Sequence, residues 1–210
     1  MPTLVDKYFS EADLDAIQQA VTAAEKKSSG ELAIKLAPQS RSWLLERVVV
    51  SSLAAVVCLV VSLYLTKESN WGTYLNFTQG ALWSIIGFLA GYFGLGKLLK
   101  SESRRRRAVW NNALHLFYKL KPTRGHTGVL ILVSLEEEQA AVIADVAIAT
   151  KVPKDYWDEP HAMIMEGIRA GRHAEGMVQA VTAIGNELAR FFPHHDDDRN
   201  ELPDRPQIIE

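Results

Sequence analysis

The chain has 210 residues, with 23 Lys and Arg against 25 Asp and Glu and a formal net charge of −2. That balance gives no bulk basicity for a nucleic-acid partner. A single cysteine, Cys58, excludes an intrachain disulfide framework and a cysteine-type zinc site.

Met1 to Phe9 lacks a basic segment followed by an apolar core, so no signal-peptide pattern is expected there. Ser10-Glu-Ala-Asp13 resembles a capping box with Asp in place of Glu or Gln, and predicts a helix start at Ser10. Leu14, Ile17, Val21 and Ala24 recur at helical spacing and give that helix one buried face. Ser28-Ser-Gly30 ends it. Glu31-Leu-Ala-Ile-Lys-Leu-Ala37 predicts a strand, stopped by Pro38.

Two uncharged runs follow. Val48 to Thr66 would span roughly 28 Å as a helix, close to the ~30 Å hydrocarbon core of a bilayer. The second run extends from Ser69 to Gly96, with its apolar part from Ala81. Two such runs in succession are rare in soluble folds, so a transmembrane helical hairpin is expected rather than a pair of buried core helices. Arg41, Arg47, Lys97, Lys100 and Arg104 to Arg107 flank the outer ends, and the connecting segment has only Lys67. The positive-inside rule then places both termini in the cytoplasm of a multi-pass protein of the cell (inner) membrane. Gly87 and Gly91 have small-residue spacing, which suits packing against the first span or a contact with another copy or membrane protein. Arg104, Arg105, Arg106 and Arg107 read as a topology signal, compatible with capture of anionic lipid head groups at the bilayer surface.

Beyond them, Val109, Ala113, Leu116, Phe117 and Leu120 share a helix face, broken at Lys121-Pro-Thr-Arg-Gly125. Val129 to Val133 is a continuous apolar run, expected to be a buried central strand. Glu136, Glu137 and Glu138 read as a solvated turn, and Ala141 to Ile148 as a second strand able to form a hairpin with the first. Helices are predicted over Tyr156–Ala170 and His173–Phe192. The latter carries a stripe of Met177, Ala180, Val181, Ile184, Leu188 and Phe191. The polar tail from His194 to Glu210 is expected to be disordered.

Phe9-Ser-Glu-Ala-Asp-Leu14 and Ala23 to Leu32 resemble the opening of the TPM domain, often labelled TPM phosphatase. His126 to Ser134, Ala141 to Asp145 and Glu175-Gly-Met177 agree with its second half. The most specific pieces are Ser29-Gly-Glu31 and Thr127-Gly-Val-Leu-Ile131. The resemblance implies an α/β sandwich, a central sheet packed by helices, here interrupted by the membrane hairpin. Its parts are residues 1–46, a hairpin at 47–100, residues 101–193, and the tail at 194–210.

Members of that family are linked to acid phosphatase activity, to maintenance of photosynthetic complexes and to auxiliary roles beside membrane receptors. A metal-dependent phosphatase needs carboxylates converging on a hard cation, Ca²⁺ or Mg²⁺. Glu31 and Asp145 are the candidates, Asp145 because it matches the family position usually followed by a glycine-containing turn. Val146-Ala-Ile148 stands there instead. Each carboxylate also has a structural reading: Glu31 reaching a backbone donor or Arg124, and Asp145 capping the turn after its strand. His194-His-Asp-Asp-Asp198 reads as solvated tail rather than a metal site. The chain is therefore expected to be an accessory or interaction module on a membrane, with a membrane-bound phosphatase as the alternative.

Overall fold

A computed structural model describes residues 4–66, 73–95, 101–120, 123, 125–195 and 200–209. The chain divides into two compact units: Met1–Arg41 together with Arg105–Glu210, and Ser42–Arg104. Lys97, Lys100, Arg124 and Asp196 to Asp198, which entered the sequence reading, lie outside the described residues.

The first unit opens with α1 (Leu4–Tyr8) and α2 (Glu11–Glu25). The capping box forms at the expected place: Asp13 N–H donates to Ser10 Oγ at 3.2 Å, and Ser10 N–H donates to Asp13 Oδ2 at 2.9 Å. Next comes β1 (Glu31–Ala37). After the second unit the chain resumes with α5 (Glu102–Lys119), β2 (Gly128–Ser134) and β3 (Gln139–Ala144). A short α6 (Val146–Lys151), a 3₁₀ turn (Lys154–Trp157), α7 (Asp158–Arg169), α8 (His173–Phe191) and β4 (Gln207–Ile208) complete it.

The sheet order is β3-β2-β1-β4, with β1 parallel to both β2 and β4 and β2 antiparallel to β3. Register decides the layers. Leu32 lies opposite Val129 and Ile34 opposite Ile131. With Leu36 and Val133 they bury one face against α2, α7 and α8, through Ile17, Val21, Ile164, Met177, Val181 and Ile184. The other face offers Ala37, Leu132, Ala141 and Ile143 to Val109 and Ala113 of α5. The result is a mixed α/β sandwich in which β2 is buried along its whole length.

Two expectations are corrected. The strand expected through Ile148 ends at Ala144, because Asp145 caps α6 by accepting from Val146 N–H at 2.6 Å. The helical turn then drops Ile148 into the core and leaves Val146 at the surface. The second correction concerns the tail, which is ordered over residues 200–209. Leu202 packs on Ala33 and Leu130, and β4 runs beside Lys35 and Leu36. Arg205 reaches Asp15 on α2 at 2.8 Å. Few apolar residues suffice here because β1 would otherwise present an open edge, which β4 covers, and because Leu202 and Arg205 each meet a partner on the body.

The second unit contains α3 (Leu44–Thr66) and α4 (Thr73–Ala90), the latter continued by a π-helical turn (Gly91–Leu95). The two helices pack antiparallel along small residues. A Cβ added at Gly87 would lie 2.7 Å from Cys58 Sγ, and one at Gly91 2.7 Å from Ser51 Cα. The face carrying Gly87 and Gly91 is therefore filled by α3. Among the described residues one helix, Leu44–Leu65, is long and apolar enough to cross a membrane, and only 11% of its apolar window is buried.

Close approach also governs the packing of α2 on α8. A Cβ at Gly185 would sit 2.3 Å from Ala24 Cβ. Gly185→Ala is expected to destabilise the protein by about 1–3 kcal/mol through overpacking. The additional change Ala24→Gly should recover part of that loss, as read by denaturant unfolding of both variants.

Candidate functional site

The two most specific sequence pieces meet at one end of the sheet. Thr127 Oγ1 donates to Ser29 O at 2.9 Å, and Glu31 N–H donates to Thr127 O at 3.0 Å. Thr127 N–H in turn donates to Thr123 Oγ1 at 2.9 Å. Polar residues at these points satisfy backbone groups where β1 and β2 begin, so the motif residues are accounted for by strand registration.

Glu31 leaves the sheet on the side of the tail. Its Oε2 accepts from Glu201 N–H at 3.2 Å and Leu202 N–H at 3.1 Å. Beside it, Glu25 Oε1 accepts from Leu32 N–H at 3.0 Å. Asp204 accepts from Thr22 Oγ1 at 2.5 Å and from the Asn200 side chain. These groups, with Ser28, line a cleft of about 200 Å³. Burial, with Glu31 and Asp204 nearby, pushes the Glu25 carboxyl up to about 8 against one opposing backbone hydrogen bond. Burial likewise raises Glu31, opposed by the two tail amides. Carboxylates are thus crowded here, and Glu25 keeps its proton to higher pH than an ordinary carboxyl.

Asp145 belongs to a different constellation. Besides capping α6 it faces His126 Nδ1 at 3.5 Å. His126 itself holds a left-handed backbone, φ 52°. Glu31 and Asp145 both lie near the beginning of β2, since Asp145 N–H donates to Gly128 O and Glu31 pairs with Gly128. Their carboxylates are engaged separately. Among the described residues no group of three or more His, Cys, Asp or Glu is arranged to hold a metal ion. The residues present do not fit a Ca²⁺ or Mg²⁺ centre, and no catalytic step through one is derived.

The arginine run is divided by helical rotation. Arg104, Arg106 and Arg107 are exposed. Arg105 turns inward, donating through Nη1 to Glu137 O at 3.2 Å and lying 3.6 Å from Glu138. Glu137 corrects the expectation of a solvated turn, because it is fully buried. Its Oε2 accepts from Ser134 Oγ at 2.6 Å and from Ser40 N–H at 3.0 Å, and Asn112 Nδ2 donates to Ser40 Oγ at 3.3 Å. A run of three glutamates gave no signal that the middle one points inward. The four-residue connection between paired Ser134 and Gln139 dictates it.

Sequence reasoning also missed Glu25 and Asp204. Glu25 occupies a helix position that reads as surface, and Asp204 lies in a tail expected to have no fixed partners. The pairs Leu202-Pro203 and Ile208-Ile209 were the available signal that the tail returns to the body.

No family model matches this chain, and no curated protein matches it. Its fold is similar to a solved structure, the NMR structure of BA42 protein from the psychrophilic bacterium Bizionia argentinensis sp. nov.. The similarity has a TM-score of 0.60 at 21% identity, covering 96% of this chain and 95% of that one. At that identity it shows a shared fold and nothing of activity.

Two outcomes follow from the polar groups. The raised Glu25 carboxyl means that between about 4.5 and about 8 the folded chain holds a proton the unfolded chain has released. This contribution is full below the lower value and is lost as pH rises through the upper one. Glu25→Gln is expected to melt above the wild type at about pH 8 and to converge with it toward about pH 4.5. A thermal-melting series across that range checks this. Glu137→Ala should cost about 1–3 kcal/mol in chemical denaturation, since it strands the Ser134 hydroxyl and Ser40 N–H without their acceptor.

Proposed function

We propose that the chain is a membrane-anchored, TPM-like accessory module whose α/β unit engages other membrane proteins. The carrying observation is the pair α3 and α4. Leu53, Val56, Val57 and Val60 of α3, and Leu82, Trp83, Ile85 and Leu89 of α4, all stand exposed. So much contiguous apolar surface suits a lipid solvent. Glycines fill the helix interface, as lipid-embedded pairs require, since close backbone contact replaces hydrophobic expulsion there. Two spans return the chain to the side it left. With basic flanks inside, both termini are cytoplasmic, and exposed Arg104 and Arg107 are available to anionic head groups at roughly 1 kcal/mol each.

A membrane-bound phosphatase is the second reading, and it rests on the family resemblance that picks out Glu31, which lines the cleft with Glu25 and Asp204. The two are separated by assaying the full chain in detergent for phosphatase turnover with and without Ca²⁺ or Mg²⁺. The accessory reading expects no metal-stimulated turnover. Stimulated turnover that falls on Glu31→Gln or Asp145→Ala would replace it with the phosphatase.

The topology is tested by placing a cysteine at Ser69 in a Cys58→Ala background. A membrane-impermeant maleimide applied to intact cells is expected to label it. Labelling only after lysis reverses the orientation, and labelling of a fully soluble protein abolishes the membrane assignment.

A further inference from the structure

The edge of β3 away from β2 is the part of the sheet whose hydrogen bonding is incomplete. Backbone groups of alternate residues in an antiparallel strand point to opposite edges. Asp145 N–H donates inward to Gly128 O, which sets the odd positions of β3 toward β2. His161 Nε2 donates to Ala140 O at 3.2 Å from the outer side, which sets the even positions outward. Val142 and Ala144 therefore aim both N–H and C=O at the edge. Among the described residues neither pair of groups has a hydrogen-bond partner beyond β3. His161 closes one end of the edge and α6 the other, leaving a window of two outward-facing residues.

A groove of about 430 Å³ runs along this window. Trp110 of α5 and Trp157 flank it, and Arg106 and Lys154 supply positive charge against a single carboxylate, Asp158. Burial lowers the His161 pKa, so the groove's charge is carried by the arginine and the lysine.

We propose that this groove captures an extended, acidic segment of a partner protein, which adds to the sheet beside β3. Strand addition satisfies alternating donors and acceptors at once, something a phosphate oxygen, purely an acceptor, cannot do. Val142 and Ala144 supply that alternation. A partner strand's side chains point alternately to the two faces of the sheet. The Trp110 and Trp157 rings then give apolar contact, and Arg106 and Lys154 select carboxylates. The inference rests on the accessory-module reading for the existence of a partner, and on the β3 edge alone for the site.

The test uses the full chain in detergent micelles, titrated with the blocked pentapeptide Val-Glu-Val-Glu-Val and with its lysine counterpart Val-Lys-Val-Lys-Val. The acidic peptide is expected to bind at least about tenfold more tightly at low salt. It should quench tryptophan emission and shift the Val142 and Ala144 amide resonances. Val142→Pro deletes one edge N–H at a position where an edge strand accepts proline. It should weaken binding about tenfold while the melting temperature stays near that of the wild type. The pair Arg106→Glu and Lys154→Glu should reverse the preference between peptides. Equal binding of both peptides, or shifts that leave Val142 and Ala144 untouched, would overturn the proposal. So would failure of the acidic peptide to bind while anionic vesicles bind through Arg106 and Lys154, which would make the groove a membrane contact. None of these results alters the maleimide labelling, so the site and the membrane reading fail separately.

Discussion

The fold depends on one buried carboxylate. Glu137 sits in the connection between β2 and β3, fully removed from solvent, and takes hydrogen bonds from Ser134 and from the backbone at Ser40. Its own carbonyl receives Arg105. Ser40 is where the chain is about to leave the α/β unit, and Arg105 is where it returns. A buried polar group whose hydrogen bonds are made is tolerable, while removing one of its partners is costly. The turn therefore ties down both ends of a long insertion. Without such a tie, the parallel pairing of β1 with β2 would have to overcome the closure entropy of everything between Ala37 and Gly128.

That tie explains how a helical pair can interrupt a sheet without dividing it. The two strands flanking the insertion are hydrogen-bonded neighbours along seven pairs of residues. At their starting end, the Thr127 hydroxyl and carbonyl hold Ser29 and Glu31 in register. At their far end, Leu135 N–H donates to Ala37 O and Glu136 N–H to Pro38 O before Glu137 takes over. Register is thus specified at both ends by polar contacts and along the middle by alternating apolar faces.

Most of the layer structure was legible from periodicity, because burial imposes it directly. The stripe of α8, the amphipathic face of α2 and the continuous run of β2 all point where the spacing says they must. The small-residue spacing at Gly87 and Gly91 was legible as close packing, and the structure fills that face with α3. Polar residues were far less readable. Glu31 had two roles consistent with its position, and the deciding partners, Glu201 and Leu202, lie about as far along the chain as the sequence allows. Glu137 had two identical neighbours, and only turn geometry distinguishes it. Asp145 could have continued a strand or capped a helix. Val146 and Ile148 are equally apolar, so hydrophobicity could not decide, and the cap's bond to Val146 N–H did.

The acidic cleft and the β3 edge show two ways in which a sheet unit deals with unpaired polar groups. At β1 the open edge is closed by the chain itself, through β4, with Glu31 accepting the amides that precede it. Burial there, with neighbouring carboxylates adding to it, raises the Glu25 and Glu31 pKa values, so that closure carries a pH dependence. At β3 the chain supplies one side chain, His161, and stops. An edge covered at one end, flanked by two tryptophans and two cations, is neither fully protected nor left bare. Protection against edge-to-edge aggregation ordinarily comes from charge, bulges or full coverage. Arg106 and Lys154 provide the first in a form that repels a second basic edge yet accepts an acidic strand. The same two charges thus guard the edge and choose its partner.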